Sequence, residues 1–157
     1  MTDEDRELTL GTKTWLRMGV RRTEPMAVEP LAGPPSGARL AVLSTGGAVA
    51  PGQEPFSTGK TGDASFRTFP STTDPDDLRF DHPHYDTALA AADPDCILPL
   101  RLLRTMAEEG EVGELAPTAF SMMGYVPLSR QVTEGSAPEI GELMQGEAVD
   151  AALLCPA

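Results

Sequence analysis

The chain has 157 residues, with 24 Asp and Glu against 12 Lys and Arg, which gives a formal net charge of -12 at pH 7. Because nucleic acid phosphates and anionic lipid headgroups repel such a charge, the composition argues against both as partners. No apolar run reaches the roughly 20 residues that cross a bilayer, and the acidic start is unlike a signal peptide, so we expect a cytoplasmic protein.

Residues 1–37 are predicted to form an irregular, extended N-terminal arm. The segment mixes charges and contains Pro25, Pro30, Pro34 and Pro35, which withhold the backbone donors that a regular ladder needs. We therefore predict two parts of the chain, an arm over residues 1–37 and an α/β domain over residues 38–157.

Residues 38–47 predict a first strand that enters a functional turn. A short apolar run ends in Ser44, Thr45, Gly46 and Gly47, as a buried strand does before a turn in an α/β fold. Hydroxyls and free backbone N–H groups in such a turn can hold a carboxylate or another anion. An ordinary tight turn is the alternative.

Residues 50–95 predict a long functional loop that is docked on the domain. The segment is rich in Pro, Gly, Thr and Asp, and aromatic residues are spread along it. Asp63 and Arg67 stand four residues apart, so Arg67 can bind a substrate carboxylate through two N–H groups. A contact of Arg67 with Asp63 or with the backbone is the alternative.

Both histidines lie within six residues of this loop, together with a tyrosine and two aspartates. In an extended segment His82 and His84 point to the same side, so they can serve as a base beside a carboxylate or contact a substrate. A loop packed by Tyr85, with the histidines hydrogen-bonded locally, is one alternative. Zinc or copper ligation by His82, His84 and Cys155 is another.

The rest of the chain predicts alternating helices and strands. Four segments are expected, namely a helix over 99–109, a strand over 115–125, a helix over 136–146 with Ser136 as N-cap, and a strand over 149–154. This order predicts a three-layer α/β fold with a mostly parallel sheet, like half of a Rossmann or flavodoxin-like fold. Sites in such sheets lie at the carboxyl ends of the strands, which here are residues 44–47, 123–125 and 155–157.

Taken in order, the motifs resemble a signature of the glycine/sarcosine/betaine and D-proline reductase selenoprotein B family. They are STGG (44–47), GDASFR (62–67), FP (69–70), HPHYD (82–86), ILPL (97–100), EEGEVG (108–113), AP (116–117), MGY (123–125) and VDA (149–151). The resemblance covers residues 38–157 and corresponds to the N-terminal half of such a protein.

The resemblance implies an oxidoreductase that cleaves a C–N bond reductively after a selenocysteine or cysteine attacks a small amine or amino-acid-type substrate. It implies no cofactor in this chain: the selenol or thiol would be supplied after residue 157 or by a partner chain, and a pyruvoyl group would come from a partner. The implied partners are a second reductase half or subunit, or a second copy of the chain, and a thioredoxin-like reductant.

In the family the chalcogen residue follows a strand like residues 149–154, and a second α/β portion comes after it. The sequence stops at Cys155, Pro156 and Ala157, so we expect an incomplete reductase. A selenocysteine codon read as a stop, a split enzyme and a shortened member with a new role are the three explanations. Because further strands would be missing, the last strand is predicted to expose an apolar edge.

Two sets of site residues follow from these motifs. The predicted catalytic residues are His82, His84, Tyr85 and Cys155, although Cys155 stands a few residues before the family's chalcogen position. The predicted substrate-binding residues are Ser44, Thr45, Gly46, Gly47, Asp63, Arg67, Asp86, Met123 and Gly124. A non-catalytic binding or scaffold subunit, and a metal-binding protein that uses the His82 and His84 loop, are the alternative functions.

Overall fold

The computed structural model describes residues 29–59, 61–82 and 85–157. Most of the predicted N-terminal arm, residues 1–28, lies outside the described residues, as do Lys60, Pro83 and the predicted site residue His84. The chain divides into two units, Met1–Pro30 and Leu31–Ala157. The described helices and strands all belong to the second unit.

A mostly parallel sheet forms the centre of the second unit. Strand β1 (Arg39–Ser44) lies in the middle and pairs in parallel with β5 (Glu114–Leu115), β6 (Thr118–Met122) and β7 (Ala151–Cys155). Strand β3 (Phe66–Pro70) runs antiparallel to β6. The prediction of an α/β fold with a mostly parallel sheet is confirmed.

A second, two-stranded sheet and a break in the main sheet refine the predicted topology. Strands β2 (Ala48–Val49) and β4 (Arg79–Phe80) pair antiparallel outside the main sheet. The single strand predicted over 115–125 is instead divided into β5 and β6 at Pro117, because proline has no N–H to donate to the ladder. The register with β1 shifts by two residues across this break.

Helices cover both faces of the main sheet, which makes the fold three-layered. Successive residues of β1 point to opposite faces. On one face a buried cluster joins the sheet to α2 (Leu100–Glu108) through Val42, Phe69, Ala119, Leu100 and Leu103. On the other face a cluster joins the sheet to α4 (Ala137–Gly146) through Ala41, Phe120, Met122 and Ile140.

The two predicted helices are present, but the start of α4 differs from the prediction. Ser136 has helical backbone angles (φ -62°, ψ -34°) and makes no capping hydrogen bond, so its prediction as N-cap was wrong. The chain is already helical before it, in the short α3 (Ser129–Gln131) and a π-helical turn, Val132–Ser136. Among the described residues, no helix is long and apolar enough to cross a membrane.

The segment predicted as a long loop contains more regular structure than expected. It includes β3, β4, helix α1 (Thr87–Ala92) and two 3-10 helices, Pro75–Asp77 and Pro94–Cys96. Strand β3 has the sequence FRTFP, which does not alternate between apolar and polar residues and is too short to stand out among turn-forming residues. The predicted docking is confirmed, since Phe56, Phe69 and Phe80 are buried.

Strand β7 forms an edge of the main sheet. Among the residues that the structure describes, it pairs with β1 alone, from Leu40 opposite Ala151 to Ser44 opposite Cys155. Its Leu153 and Leu154 are 38% and 62% exposed, whereas Val42 of β1 is 2% exposed. The prediction of an exposed apolar edge at the last strand is therefore confirmed.

Candidate functional site

The turn after β1 brings the carboxyl ends of the strands together with the histidine loop. Gly47 has φ +71°, and a Cβ on it would collide with the carbonyl oxygen of Asp81. The N–H of Asp81 in turn donates to the carbonyl of Gly47 at 2.8 Å. Glycine at this position therefore permits the close contact that places His82 beside the turn.

The backbone N–H groups of the turn are all engaged, so the prediction that they are free to hold an anion was wrong. Thr45 donates to the carbonyl of Cys155 at 2.9 Å, and Gly47 donates to the carbonyl of Met122 at 2.9 Å. Gly46 donates to the buried hydroxyl of Ser44 at 3.0 Å. These bonds tie β1, β6 and β7 to one another, and they leave side chains as the groups that can meet a ligand.

Polar atoms converge at Gly124, which is exposed just beyond the end of β6. A Cβ on Gly124 would lie 3.3 Å from His82 Nε2, 3.3 Å from Thr45 Oγ1 and 3.2 Å from the carbonyl oxygen of Thr45. We call Thr45, His82 and Gly124 the Gly124 cluster. It joins three segments that are far apart in sequence at the edge of the sheet where ligands bind in such folds.

Tyr85 holds the histidine loop against the turn. Its hydroxyl donates to the carbonyl of Gly46 at 2.8 Å, and its ring centroid lies 4.6 Å from that of His82 with the rings tilted by 40°. Burial, with a smaller contribution from Cys96, raises the pKa of Tyr85 to about 12. The phenol therefore stays protonated near neutral pH and acts as a hydrogen-bond donor.

Cys155 lies at the carboxyl end of β7, opposite Ser44 of β1. Burial raises the pKa of its thiol above the ordinary value. A reactive cysteine needs the opposite shift, because the thiolate is the nucleophile. Cys155 thus adjoins the cluster in a setting that favours the unreactive thiol.

Ser121 is a buried serine in this region that was not among the predicted site residues. Ser121 of β6 pairs with Ser44 and is completely buried. Its hydroxyl has no hydrogen-bond partner among the described residues. The signal was present in the sequence, because Ser121 is a lone polar residue within the apolar run 119–123.

A cavity opens beside the same edge of the sheet. Its volume is about 390 Å³, and it is lined by Ala64, Ser65, Phe66, Ser136 and Glu139. Phe66 pairs with Met122 at the carboxyl end of β6. The cavity therefore lies beside β3, near the carboxyl end of β6. This volume is within the range of about 300–1,000 Å³ for small-molecule pockets.

The predicted site residue Asp63 makes local structural contacts. Its carboxylate accepts hydrogen bonds from the N–H groups of Ser57 at 2.8 Å and Ser65 at 2.9 Å, and also from the Ser65 hydroxyl. Burial alone would raise its pKa, but these hydrogen bonds and the nearby Arg67 charge hold the pKa below the ordinary value. The carboxylate therefore stabilises its own loop.

Arg67 is likewise engaged with its surroundings. Its guanidinium donates to the carbonyl of Glu54 at 2.8 Å and to the Ser65 hydroxyl at 2.9 Å, and it lies 4.3 Å from the centre of the Phe56 ring. Further donations reach the carbonyls of Pro55 and Phe66. The alternative stated above for Arg67, a contact with the backbone, is therefore confirmed.

Asp86, another predicted site residue, caps a helix. Its carboxylate accepts from the N–H of Ala88 at 3.0 Å at the start of α1. The described part of the chain contains no group of three or more His, Cys, Asp or Glu side chains able to hold a metal ion. His84, which belongs to the metal alternative, lies outside the described residues.

A family model described as glycine/sarcosine/betaine reductase selenoprotein B matches residues 21–157. The chain belongs to the selenoprotein B family. D-proline reductase subunit gamma of Acetoanaerobium sticklandii is 36% identical to this chain over 93 residues. These residues are 59% of the chain and 38% of that subunit. The chain thus spans less than half the length of this curated relative. No solved structure matches the chain.

Proposed function

We propose that this chain is the substrate-side part of a selenoprotein B-type reductase that acts on a small amine or amino-acid-type substrate. The convergence of Thr45 and His82 at the exposed Gly124 is the observation that carries the proposal. Membership of the selenoprotein B family supports the reaction class. The described residues of the cluster offer a hydroxyl and an imidazole, which suit a small polar substrate.

Reductive cleavage of a C–N bond releases an amine, and the leaving nitrogen must take up a proton. An imidazole is the side chain best suited to supply it near neutral pH, so His82 serves as the acid and Thr45 as a hydrogen-bonding contact to substrate. Tyr85 is a positioning residue, because it holds the loop of His82 through the carbonyl of Gly46.

The nucleophile in this proposal is supplied after residue 157 or by a partner chain. A low-pKa thiol or selenol is required, and burial shifts the pKa of Cys155 in the opposite direction. The segment after residue 157 or a partner carries the chalcogen, and a partner carries any pyruvoyl group. A thioredoxin-like protein returns the centre to its reduced state, and the reaction takes place in the cytoplasm. The name of D-proline reductase subunit gamma, a subunit of a larger enzyme, supports a partner chain.

The test is substrate-dependent reduction by the complete assembly, with a dithiol as reductant and glycine, sarcosine, betaine and D-proline as substrates. His82→Gln and Thr45→Val should each lower kcat/KM by about 10- to 100-fold, the scale of a lost proton donor or a lost polar contact. The melting temperature should change less than kcat/KM, since both residues are only half-buried and Thr45→Val removes one hydrogen bond, that from the N–H of Ala157 at 3.0 Å.

Thr133→Val is the matched control for Thr45→Val, because Thr133 is exposed and lies in the π-helical turn. Unchanged kcat/KM in both cluster variants would refute the proposal and favour a non-catalytic scaffold subunit. If activity falls only in proportion to the melting temperature, the cluster has a structural role.

A further inference from the structure

The cavity beside β3 is lined by two segments that are far apart in the sequence. Ala64 and Ser65 lead into β3 and Phe66 begins it, whereas Ser136 and Glu139 belong to the π-helical turn and to α4. Phe66 also packs against the buried cluster on the face of α4. No residue of the Gly124 cluster lines this cavity, so its lining is a separate set of side chains.

Ser136 brings an unused hydroxyl to the cavity. The residue is 7% exposed, and its Oγ has no hydrogen-bond partner among the described residues. Buried polar atoms without a partner are rare in folded proteins, and a water or a bound molecule commonly satisfies them. The hydroxyl turns by rotation about a single bond and can donate or accept. It therefore retains hydrogen-bonding capacity for a molecule in the cavity.

The helix that carries Ser136 offers no binding site for an anion. The helix α3, the π-helical turn and α4 follow one another without a break over residues 129–146, so α4 has no free N-terminus. The N–H of Ala137 donates to the carbonyl of Val132, and Pro138 has no N–H. An anion at this cavity therefore lacks the amides that a helix N-terminus ordinarily provides.

The charged groups around the cavity favour a cation. Glu139 stands one turn after Ser136 on the same side of the helix and is exposed. No cation among the described residues forms an ion pair with it. The hydroxyl of Ser65 donates to Asp63 and accepts from Arg67, so these two charges offset each other at this wall. The uncompensated charge of the lining is the carboxylate of Glu139.

Ala64 and Phe66 give the lining an apolar part. Both are half-buried, and the face of an aromatic ring attracts a cation as well as packing against an alkyl chain. The volume of about 390 Å³ exceeds the roughly 30 Å³ that one water occupies in the liquid. A single water or a bare ion therefore leaves the cavity unfilled, and a molecule with a positive end and a short alkyl part matches it better.

We propose that this cavity is a binding site for a small protonated alkylamine, separate from the Gly124 cluster. The ammonium group donates to the carboxylate of Glu139 and to Oγ of Ser136, and the alkyl part packs against Phe66. An ammonium group has three donors and no acceptor, which matches unused polar groups that can accept. The inference does not depend on the reductase reaction, because no residue of the lining takes part in the function proposed above.

The probe is n-butylammonium chloride, titrated at neutral pH into the full chain labelled with ¹⁵N and followed by two-dimensional amide NMR. Saturable shifts should appear at the amides of residues 64–66, 136, 137 and 139. The Kd should be on the order of 1 mM, as the affinity per atom of so small a molecule permits. n-Butanol and butyrate, which have the same chain length, should bind more weakly because they lack the positive charge.

Two substitutions test the polar contacts. Ser136→Ala should weaken the Kd about tenfold, the scale of a hydrogen bond to a charged group, and Glu139→Gln about two- to fivefold, the scale of an exposed ion pair. Glu142→Gln is the matched control, because Glu142 is exposed on the same helix and does not line the cavity. Ser136→Ala should not lower the melting temperature, since its hydroxyl has no partner among the described residues.

Saturable binding that is weakened by Ser136→Ala and Glu139→Gln and unaffected by Glu142→Gln supports the proposal. Equal weakening by Glu142→Gln overturns it, because the amine is then attracted only by the formal net charge of -12. The absence of saturable shifts at the lining also overturns it, as does equal or tighter binding of butanol or butyrate. A lower melting temperature of Ser136→Ala overturns it by assigning the hydroxyl to the fold. Because binding is measured without a reductant, its failure is distinguishable from loss of activity in the His82 and Thr45 variants.

Discussion

The two segments predicted to bind substrate differ in where their polar groups are directed. In the segment around Asp63 and Arg67, the carboxylate and guanidinium bond to neighbouring main chain and to Ser65. At the Gly124 cluster, the backbone holds the strands together, and the side chains of Thr45 and His82 meet at an exposed glycine. Residue types alone indicate a capacity for binding, and the hydrogen-bond partners show how that capacity is used.

Both segments are nevertheless held in place in the same way. Gly47 and Gly62 have positive φ angles of 71° and 68°, and a Cβ on either would collide with a backbone carbonyl, that of Asp81 or that of Tyr125. Each glycine therefore allows one loop to approach another more closely than any other residue would. We therefore expect glycine substitutions to lower stability in both segments. Side-chain substitutions should distinguish the two, because they lower stability at Arg67 and activity at the Gly124 cluster.

The largest expected effect is that of Gly47→Ala on stability. A left-handed backbone costs alanine about 1–2 kcal/mol, and the collision with Asp81 adds strain, for a total of about 2–5 kcal/mol. Gly52→Ala is the control, because Gly52 has φ +82° with open space around it, so it isolates the cost of the backbone angle. Urea unfolding should rank Gly47→Ala well below Gly52→Ala, and equal losses would contradict the contact with Asp81.

The next effect concerns Arg67→Ala. Loss of its charged hydrogen bonds to the main chain and of its contact with the Phe56 ring should lower the free energy of unfolding by about 1.5–3 kcal/mol. Arg130→Ala, at a surface pair with Glu134, should cost only about 0.3–0.5 kcal/mol in the same urea titration. A large fall in kcat/KM at unchanged stability would instead place Arg67 at the substrate.

The smallest effect is that of Tyr85→Phe. Loss of the hydrogen bond to Gly46 should cost about 0.5–1.5 kcal/mol near neutral pH. Because the folded state raises the pKa of Tyr85 from 10.0 to about 12, this tyrosine contributes stability below pH 10 that is lost as the pH rises through about 12. Unfolding measured across that range should show the decline in the wild type and a smaller decline in Tyr85→Phe.

The architecture could be predicted because it depends on local apolar patterns. The central strand and the edge strand β7 follow from short apolar runs, and the helix α2 follows from apolar residues at helical spacing. The division at Pro117 was also within reach, because proline has no N–H for the ladder. The π-helical turn before Ala137 could not be predicted, since it depends on how the chain packs against its neighbours.

The site could be predicted in outline by the same reasoning. The rule that ligands bind at the carboxyl ends of strands places Ser44, Gly124 and Cys155 together, as observed. Sequence could not show that the amides of Thr45 and Gly47 are engaged, because their acceptors, Cys155 and Met122, stand 110 and 75 positions away. The half-buried state of Cys155 likewise depends on the tertiary fold.

The edge strand β7 also bears on the behaviour of the chain in concentrated solution. An apolar strand edge that no strand of the described residues pairs invites association between molecules, and the formal net charge of -12 opposes it by mutual repulsion. Salt shortens the range of that repulsion and leaves the apolar attraction intact. The colloidal stability of the chain on its own therefore depends on ionic strength, and the acidity distributed along its sequence keeps an incompletely covered sheet in solution.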